Sequence, residues 1–145
     1  MTSGVSAGFG RRFAALIYDA FLLAALLIIF TFGALVFTGG HAILHATAGV
    51  WVYAYYGGEI AVVASYYVLN WIRSGQTLGM RAWRLRAVDA DGKQLHVRAA
   101  CLRFVCAVLA WAPAGLGVLW LYVDPERLAL QDRLSGTRVV RLTSS

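Results

Sequence analysis

The chain has 145 residues, 60% of them hydrophobic and only 14% charged. Soluble domains average about 25% charged residues, so the composition excludes an ordinary water-soluble globule and indicates a membrane protein. The net charge of +6 does not point to nucleic acid. The basic residues fall in three blocks, Arg11–Arg12, Arg73–Arg103 and Arg127–Arg141, with none between Phe13 and Ile72. Positive-inside topology produces that distribution, and no motif that reads nucleic acid is present.

Residues 1–10 are small and polar, a short cytoplasmic lead. Phe13 to Phe37 is an apolar run with no Lys or Arg and a single acid, Asp19. As a helix it spans roughly 37 Å, more than the ~30 Å hydrocarbon core of a bilayer. It is longer than a signal-peptide core and carries Asp19, so it reads as a retained first span. A carboxylate inside such a span costs about 2.5–3.5 kcal/mol on insertion scales and needs a partner or a wet cavity. Arg12 lies two turns away, roughly 10 Å along the axis, too far for an easy intrahelical pair. Each charge should therefore pair with another segment. The preferred partners are Arg103 for Asp19, and Asp132 or Asp124 for Arg12.

Thr38 to Gly49 is a turn-rich connection. His41 and His45 have the i, i+4 spacing of a metal pair, but no third ligand lies nearby, so no metal is expected. The second span covers about 50–72, with Trp and Tyr near both ends as interface anchors. Gly57-Gly58-Glu59 is expected to weaken its middle and to place an acid near mid-bilayer. Asp19 and Glu59 would then sit at staggered depths, where waters could link them as a proton relay.

Residues 73–98 are the most polar stretch, and 81–98 within it carry a strand pattern. Trp83–Ala87 and Gln94–Arg98 alternate with period two around Asp89-Ala90-Asp91-Gly92, which predicts a cytoplasmic β-hairpin. Its Arg81, Arg84, Arg86, Lys93 and Arg98 would face anionic lipid, each gaining about 1 kcal/mol near the headgroups. Thr137–Leu142 is β-prone and could add a third strand. Cys101 and Cys106 point to different helix faces and read as packing residues.

The third apolar segment, about 101–123, is broken at Trp111 to Gly117 around Pro113. Either it crosses the membrane or it is kinked and re-entrant; the re-entrant form keeps the basic C-terminal tail, 124–145, with the other basic blocks. Asp124-Pro125 predicts a helix start, as N-cap and first position, with Gly136 closing the helix.

Several ordered motifs together resemble the RDD family of small integral membrane proteins, named for an arginine and two aspartates. They are Gly8-Phe9 with Arg11-Arg12 and Asp19, then Gly75-Gln76-Thr77-Leu78-Gly79, Arg103, and finally Asp132 through Gly136-Thr137 to Val140. The resemblance covers about residues 8–142. Arg12, Asp19 and Asp132 fall on the three named positions. Gln131 stands where His is usual, and Met80 where Lys is usual. For the family, transport has been suggested; the resemblance implies no more than that.

The resulting expectation is one mostly helical polytopic domain in the cell (inner) membrane with both termini cytoplasmic. It has two full spans, a kinked or re-entrant third segment and a small cytoplasmic β-hairpin. Arg12, Asp19, Glu59, Arg103, Asp124 and Asp132 form a charge network. No catalytic arrangement and no cofactor is expected, and Gly75 to Gly79 lacks the ending of a phosphate loop. Two functions remain open. One is cation, proton or small-solute transport as a homo-oligomer or as a subunit of a larger complex. The other is a non-transporting adaptor that binds anionic lipid or a protein through its basic face.

Overall fold

A computed structural model of the chain describes residues 7–41, 49–111, 120–125 and 128–142. It is mostly helical, with one small antiparallel sheet. Helix α1 (Phe9–Phe37) has 29 residues and is roughly 43 Å long. Among the described helices it is the one long and apolar enough to cross a membrane by length and composition.

Helix α2 (Val50–Ser74) runs antiparallel to α1, so that Tyr55 meets Thr31 while Tyr66 meets Asp19. Its 25 residues give about 37 Å, but its Tyr, Asn and Glu side chains make it less apolar than α1. The expected weakening at Gly57-Gly58 does not occur, because α2 is continuous there. A Cβ on Gly58 would collide with the Phe30 ring of α1. The glycine serves close helix packing, which compensates its low helix propensity.

Gly75 ends α2 in the left-handed region, φ 70°. Thr77 then caps the short helix α3 (Leu78–Ala82), accepting from the Met80 backbone N–H at 3.1 Å. Between them, Gln76 Nε2 donates to the Leu85 carbonyl at 2.6 Å. This stretch is thus the tight exit turn that its glycines suggested.

The 81–98 hairpin is corrected. Strand β1 (Leu85–Asp89) does not pair with Gln94–Arg98 but with β2 (Thr137–Arg141), Leu85 opposite Arg141 and Asp89 opposite Thr137. The turn itself forms, with Lys93 N donating to Asp89 Oδ1 at 2.7 Å and Asp89 N to the Lys93 carbonyl. Beyond it the chain leaves the sheet, and helix α4 (Val97–Trp111) begins within the expected second strand. The β-branched Val139-Val140 pair suits a pleated, half-buried surface better than Gln94-Leu95-His96. Leu95 still reaches the core, from a loop.

The start expected at Asp124-Pro125 is likewise corrected. Trp120–Tyr122 form a single 3-10 turn. Asp124 Oδ2 accepts from the Leu128 N–H at 3.0 Å and so closes a loop. The next helix, α5 (Leu130–Leu134), starts after Ala129. Helix α4 covers only about 22 Å by its 15 residues. The Pro113–Gly117 kink that distinguishes a crossing from a re-entrant segment lies outside the described residues.

The core gathers Ala15 of α1, Trp71 of α2, Met80, Leu85, Ala87, Leu95, Ala100 of α4 and Val139. It sits where the N-terminal end of α1 meets the C-terminal end of α2, and the sheet packs onto that junction. Leu85 is 1% exposed. Leu85→Ala should therefore lower unfolding free energy in detergent by about 2–5 kcal/mol. Chemical denaturation followed by circular dichroism measures it, and a loss under about 1 kcal/mol would contradict this packing.

Candidate functional site

Asp132 is fully buried in α5, with 0% of its side chain exposed. An arginine approaches each of its oxygens. Arg12 Nη1 of α1 donates to Oδ2, and Arg103 Nη2 of α4 lies 2.7 Å from Oδ1 as an ion pair rather than an aligned hydrogen bond. Arg12 Nε also donates to the Ala7 carbonyl at 2.9 Å. Arg103 donates through Nη1 to the hydroxyl of Thr137, and its guanidinium lies 5.1 Å from the Trp71 ring centroid, within cation–π range. Ser135 and Thr137 hydroxyls bond each other at 2.7 Å. Local sequence explains the arrangement: α5 is one turn long, Gly136 reverses the chain at φ 63°, and Thr137 is thereby aimed back at Arg103.

Burial alone would push the Asp132 carboxyl upward. The charges of Arg103 and Arg12, with the Arg12 hydrogen bond, outweigh it, and the pKa falls below the ordinary carboxylate value. The group is a fixed carboxylate held between two fixed cations.

Asp19 is 3% exposed and does not pair with Arg103, correcting that expectation. It accepts instead from three neutral donors: Thr77 Oγ1 at 2.5 Å, Gly79 N at 2.8 Å and Tyr66 Oη at 2.7 Å. Arg103 is occupied by Asp132, Thr137 and Trp71, while the α3 turn presents the Gly79 N–H and the Thr77 hydroxyl directly to Asp19. Gly79 is required there, since a Cβ would meet the Ala15 carbonyl of α1 and stand 2.9 Å from the Asp19 carboxyl carbon.

Arg12 thus meets Asp132, one of the two partners offered for it. Asp124 meets Arg133 at 2.5 Å, with Arg133 half exposed. Glu59 belongs to a separate group: it accepts from Tyr55 Oη at 2.7 Å, and Tyr55 bonds Thr31. Glu59 lies seven residues before Tyr66 on α2, about 10 Å along the axis. A cavity of about 550 Å³ reaches from Gly58 past Tyr66 to Arg73, with Leu26 and Phe30 of α1 and the polar Ser65 and Asn70 in its lining.

Arg81, Arg84, Lys93 and Arg98 are exposed, and Arg86 is half-buried beside Gly75. They surround α3 and the strands rather than one face of a hairpin. Two further spaces adjoin the charge cluster. A chamber of about 100 Å³ lies between Asp19 and Arg103, and a groove of about 510 Å³ runs between α1, α2 and α4. Sequence reasoning did not identify Tyr66 and Trp71 as partners of the charges. Each was read as an interfacial ring, and only the 47-residue separation of Tyr66 from Asp19 hid its role. Gln131, noted for its departure from His, lines both spaces.

Residues 6–136 match the RDD family. The chain is also similar to an uncharacterized protein, RP437, of Rickettsia prowazekii (strain Madrid E), with 28% identity over 83 residues. That stretch is 57% of this chain and 46% of the relative, so the match spans about half the length of the curated relative. No solved structure matches the chain.

Asp132→Asn leaves two buried arginines without a counter-charge and should cost about 3–5 kcal/mol of stability. The pH dependence follows from the lowered pKa. The contribution of Asp132 is full above the unfolded carboxyl value, about 3.9, and is lost as pH falls through the lower folded value. Acid titration of the unfolding midpoint in detergent should show this loss below about pH 4, and Asp132→Asn should remove that component. Separately, Gly79→Ala should destabilise by more than about 1 kcal/mol, since overpacking at a backbone contact forces α3 off α1. Hydrogen exchange at residues 77–82 should rise in this variant, and unchanged protection would reject the close approach.

Proposed function

The chain belongs to the RDD family, and on that premise we propose that it is a polytopic membrane scaffold. Its buried Arg/Asp clamps hold a small basic platform against the helices, and the platform binds anionic lipid at the cytoplasmic surface. One observation carries this reading: the buried Asp19, Asp124 and Asp132 are each engaged by protein donors, while among the described residues no ion pair involves the exposed Arg81, Arg84, Lys93 or Arg98. Among the described residues, the ion pairs involve Arg12, Arg103 and Arg133.

A proton carrier needs a group that loses and regains its proton during the cycle. Asp132, gripped by two arginines, resists protonation, and Asp19 is fixed in place by Thr77, Gly79 and Tyr66. Buried charge pairs of this kind serve as register devices between segments. Glu59 and Asp19 hold separate partners, Tyr55 for the first and Thr77, Gly79 and Tyr66 for the second, which disfavours the staggered relay.

Membrane embedding is supported by side chains that would otherwise face water. Phe21 and Ile28 of α1 are 75% and 68% exposed, and Leu109 of α4 is 63% exposed. Contiguous apolar surface of this extent needs a partner, and lipid supplies one for all three helices at once. Trp51 and Tyr53, exposed at the start of α2, suit the opposite interface.

Reconstitution in nanodiscs tests the platform. Lipid containing phosphatidylglycerol should raise the unfolding midpoint relative to phosphatidylcholine alone, and 0.5 M salt, whose Debye length is about 3–10 Å, should reduce the gain. A variant with Arg81, Arg84, Lys93 and Arg98 changed to Gln should lose most of it. Equal midpoints in both lipids would overturn the platform. A cation or proton flux in proteoliposomes that Asp19→Asn abolishes would favour the transport reading instead.

A further inference from the structure

Three buried polar atoms beside the clamp lack a hydrogen-bond partner: Trp71 Nε1, Arg103 Nε and Gln131 Oε1. Trp71 is 5% exposed and Arg103 4%. All three side chains line both the chamber and the groove that opens from it. Native interiors leave few such atoms unsatisfied, and three around one space call for a group that completes them.

The groove has the character of a small-molecule site. Its volume of about 510 Å³ lies within the usual range of about 300–1,000 Å³, with apolar walls and a few placed polar groups. Leu16 and Leu23 of α1, Val63 of α2 and Phe104, Ala107 and Val108 of α4 form the walls, while Arg103 and Gln131 stand at one end. Such a shape takes an unbranched hydrocarbon chain with a polar head. The chamber behind it limits that head. At about 100 Å³ it admits a group of a few heavy atoms and excludes a glycerophosphate.

Charge narrows the choice further. Arg12 and Arg103 balance Asp19 and Asp132 around the chamber, and both carboxylates already hold donors. The free groups are two N–H donors and one amide oxygen. A carboxylic acid matches them: its carbonyl oxygen accepts from Arg103 Nε–H and Trp71 Nε1–H, and its hydroxyl donates to Gln131 Oε1. We propose that the groove between α1, α2 and α4 binds one long-chain carboxylic acid, its chain along Leu16, Val63 and Val108 and its head against Arg103, Trp71 and Gln131. This site is distinct from the basic platform and does not depend on it.

Palmitic acid is the probe, added to the full chain in detergent and followed by native mass spectrometry. One equivalent should bind saturably, and methyl palmitate, which cannot donate to Gln131, should bind about tenfold more weakly. Dipalmitoyl phosphatidylglycerol should not compete. Ala107→Trp, which fills the groove away from the clamp, and Gln131→Leu should each weaken palmitate about tenfold with the unfolding midpoint kept. Absence of saturable palmitate binding, equal affinity for the methyl ester, or displacement by the phospholipid would overturn the proposal. So would unchanged binding in both folded variants. The ester and phospholipid comparisons use the unaltered chain, so they decide the matter even if a variant fails to fold.

Discussion

The structure depends on one buried carboxylate shared by two guanidinium groups. Asp132 is contributed by a helix of five residues, too short to hold a position by its own hydrogen bonds. What fixes it is the demand of a charge placed out of water. Leaving Asp132 unpaired would be costly, so the chain is stable only where Arg12 and Arg103 converge on it. Those residues lie 120 positions before it and 29 positions before it, on α1 and α4. One contact thus ties three helices together, and Thr137 extends the tie to β2. The sheet gains its place because its second strand leaves the clamp directly.

Asp19 performs the corresponding task one level further along α1 by a different chemistry. Its charge is met by a hydroxyl, a backbone N–H and a phenol, with no cation among the three. Neutral donors suit a buried carboxylate because they bring no second charge to desolvate. The donors come from α2 and from the turn after it. Arg12 and Asp19 thus anchor one helix end at two heights, against the C-terminal sheet unit and against the α2–α3 turn. Rotation of α1 about its own axis would break both sets at once.

Much of this was legible in the residues. The length of α1, the antiparallel return of α2, the turn at Gly75 to Gly79 and the Arg12–Asp132 meeting each follow from a run, a spacing or a charge that must be answered. The sheet was not legible in the same way. Period-two alternation at Gln94–Arg98 is compatible with a strand, yet Val97, Ala100, Cys101 and Phe104 equally satisfy the three-and-four spacing of α4. Pairing of β1 with a strand 52 positions later, Leu85 to Thr137, is decided by shared burial with Trp71 and Met80. No local pattern carries that information. The partner of Asp19 was misassigned for a related reason. Charge invites a search for opposite charge, and three neutral donors give no sign in the sequence that they converge.

The same geometry explains why polar atoms remain unsatisfied beside so well-satisfied a clamp. Arg103 spends Nη1 on Thr137 and Nη2 on Asp132, and its planar fork then turns Nε away from both. Trp71 offers its ring face to that guanidinium, which commits the indole plane and leaves its N–H to point elsewhere. Satisfying either donor within the protein would require giving up a charge contact or the stacking. Gln131, the neighbour of Asp132, is carried into the same space by the turn of α5. The vacant donors are therefore a consequence of the clamp itself, and whatever completes them must be small enough to enter without moving Asp132.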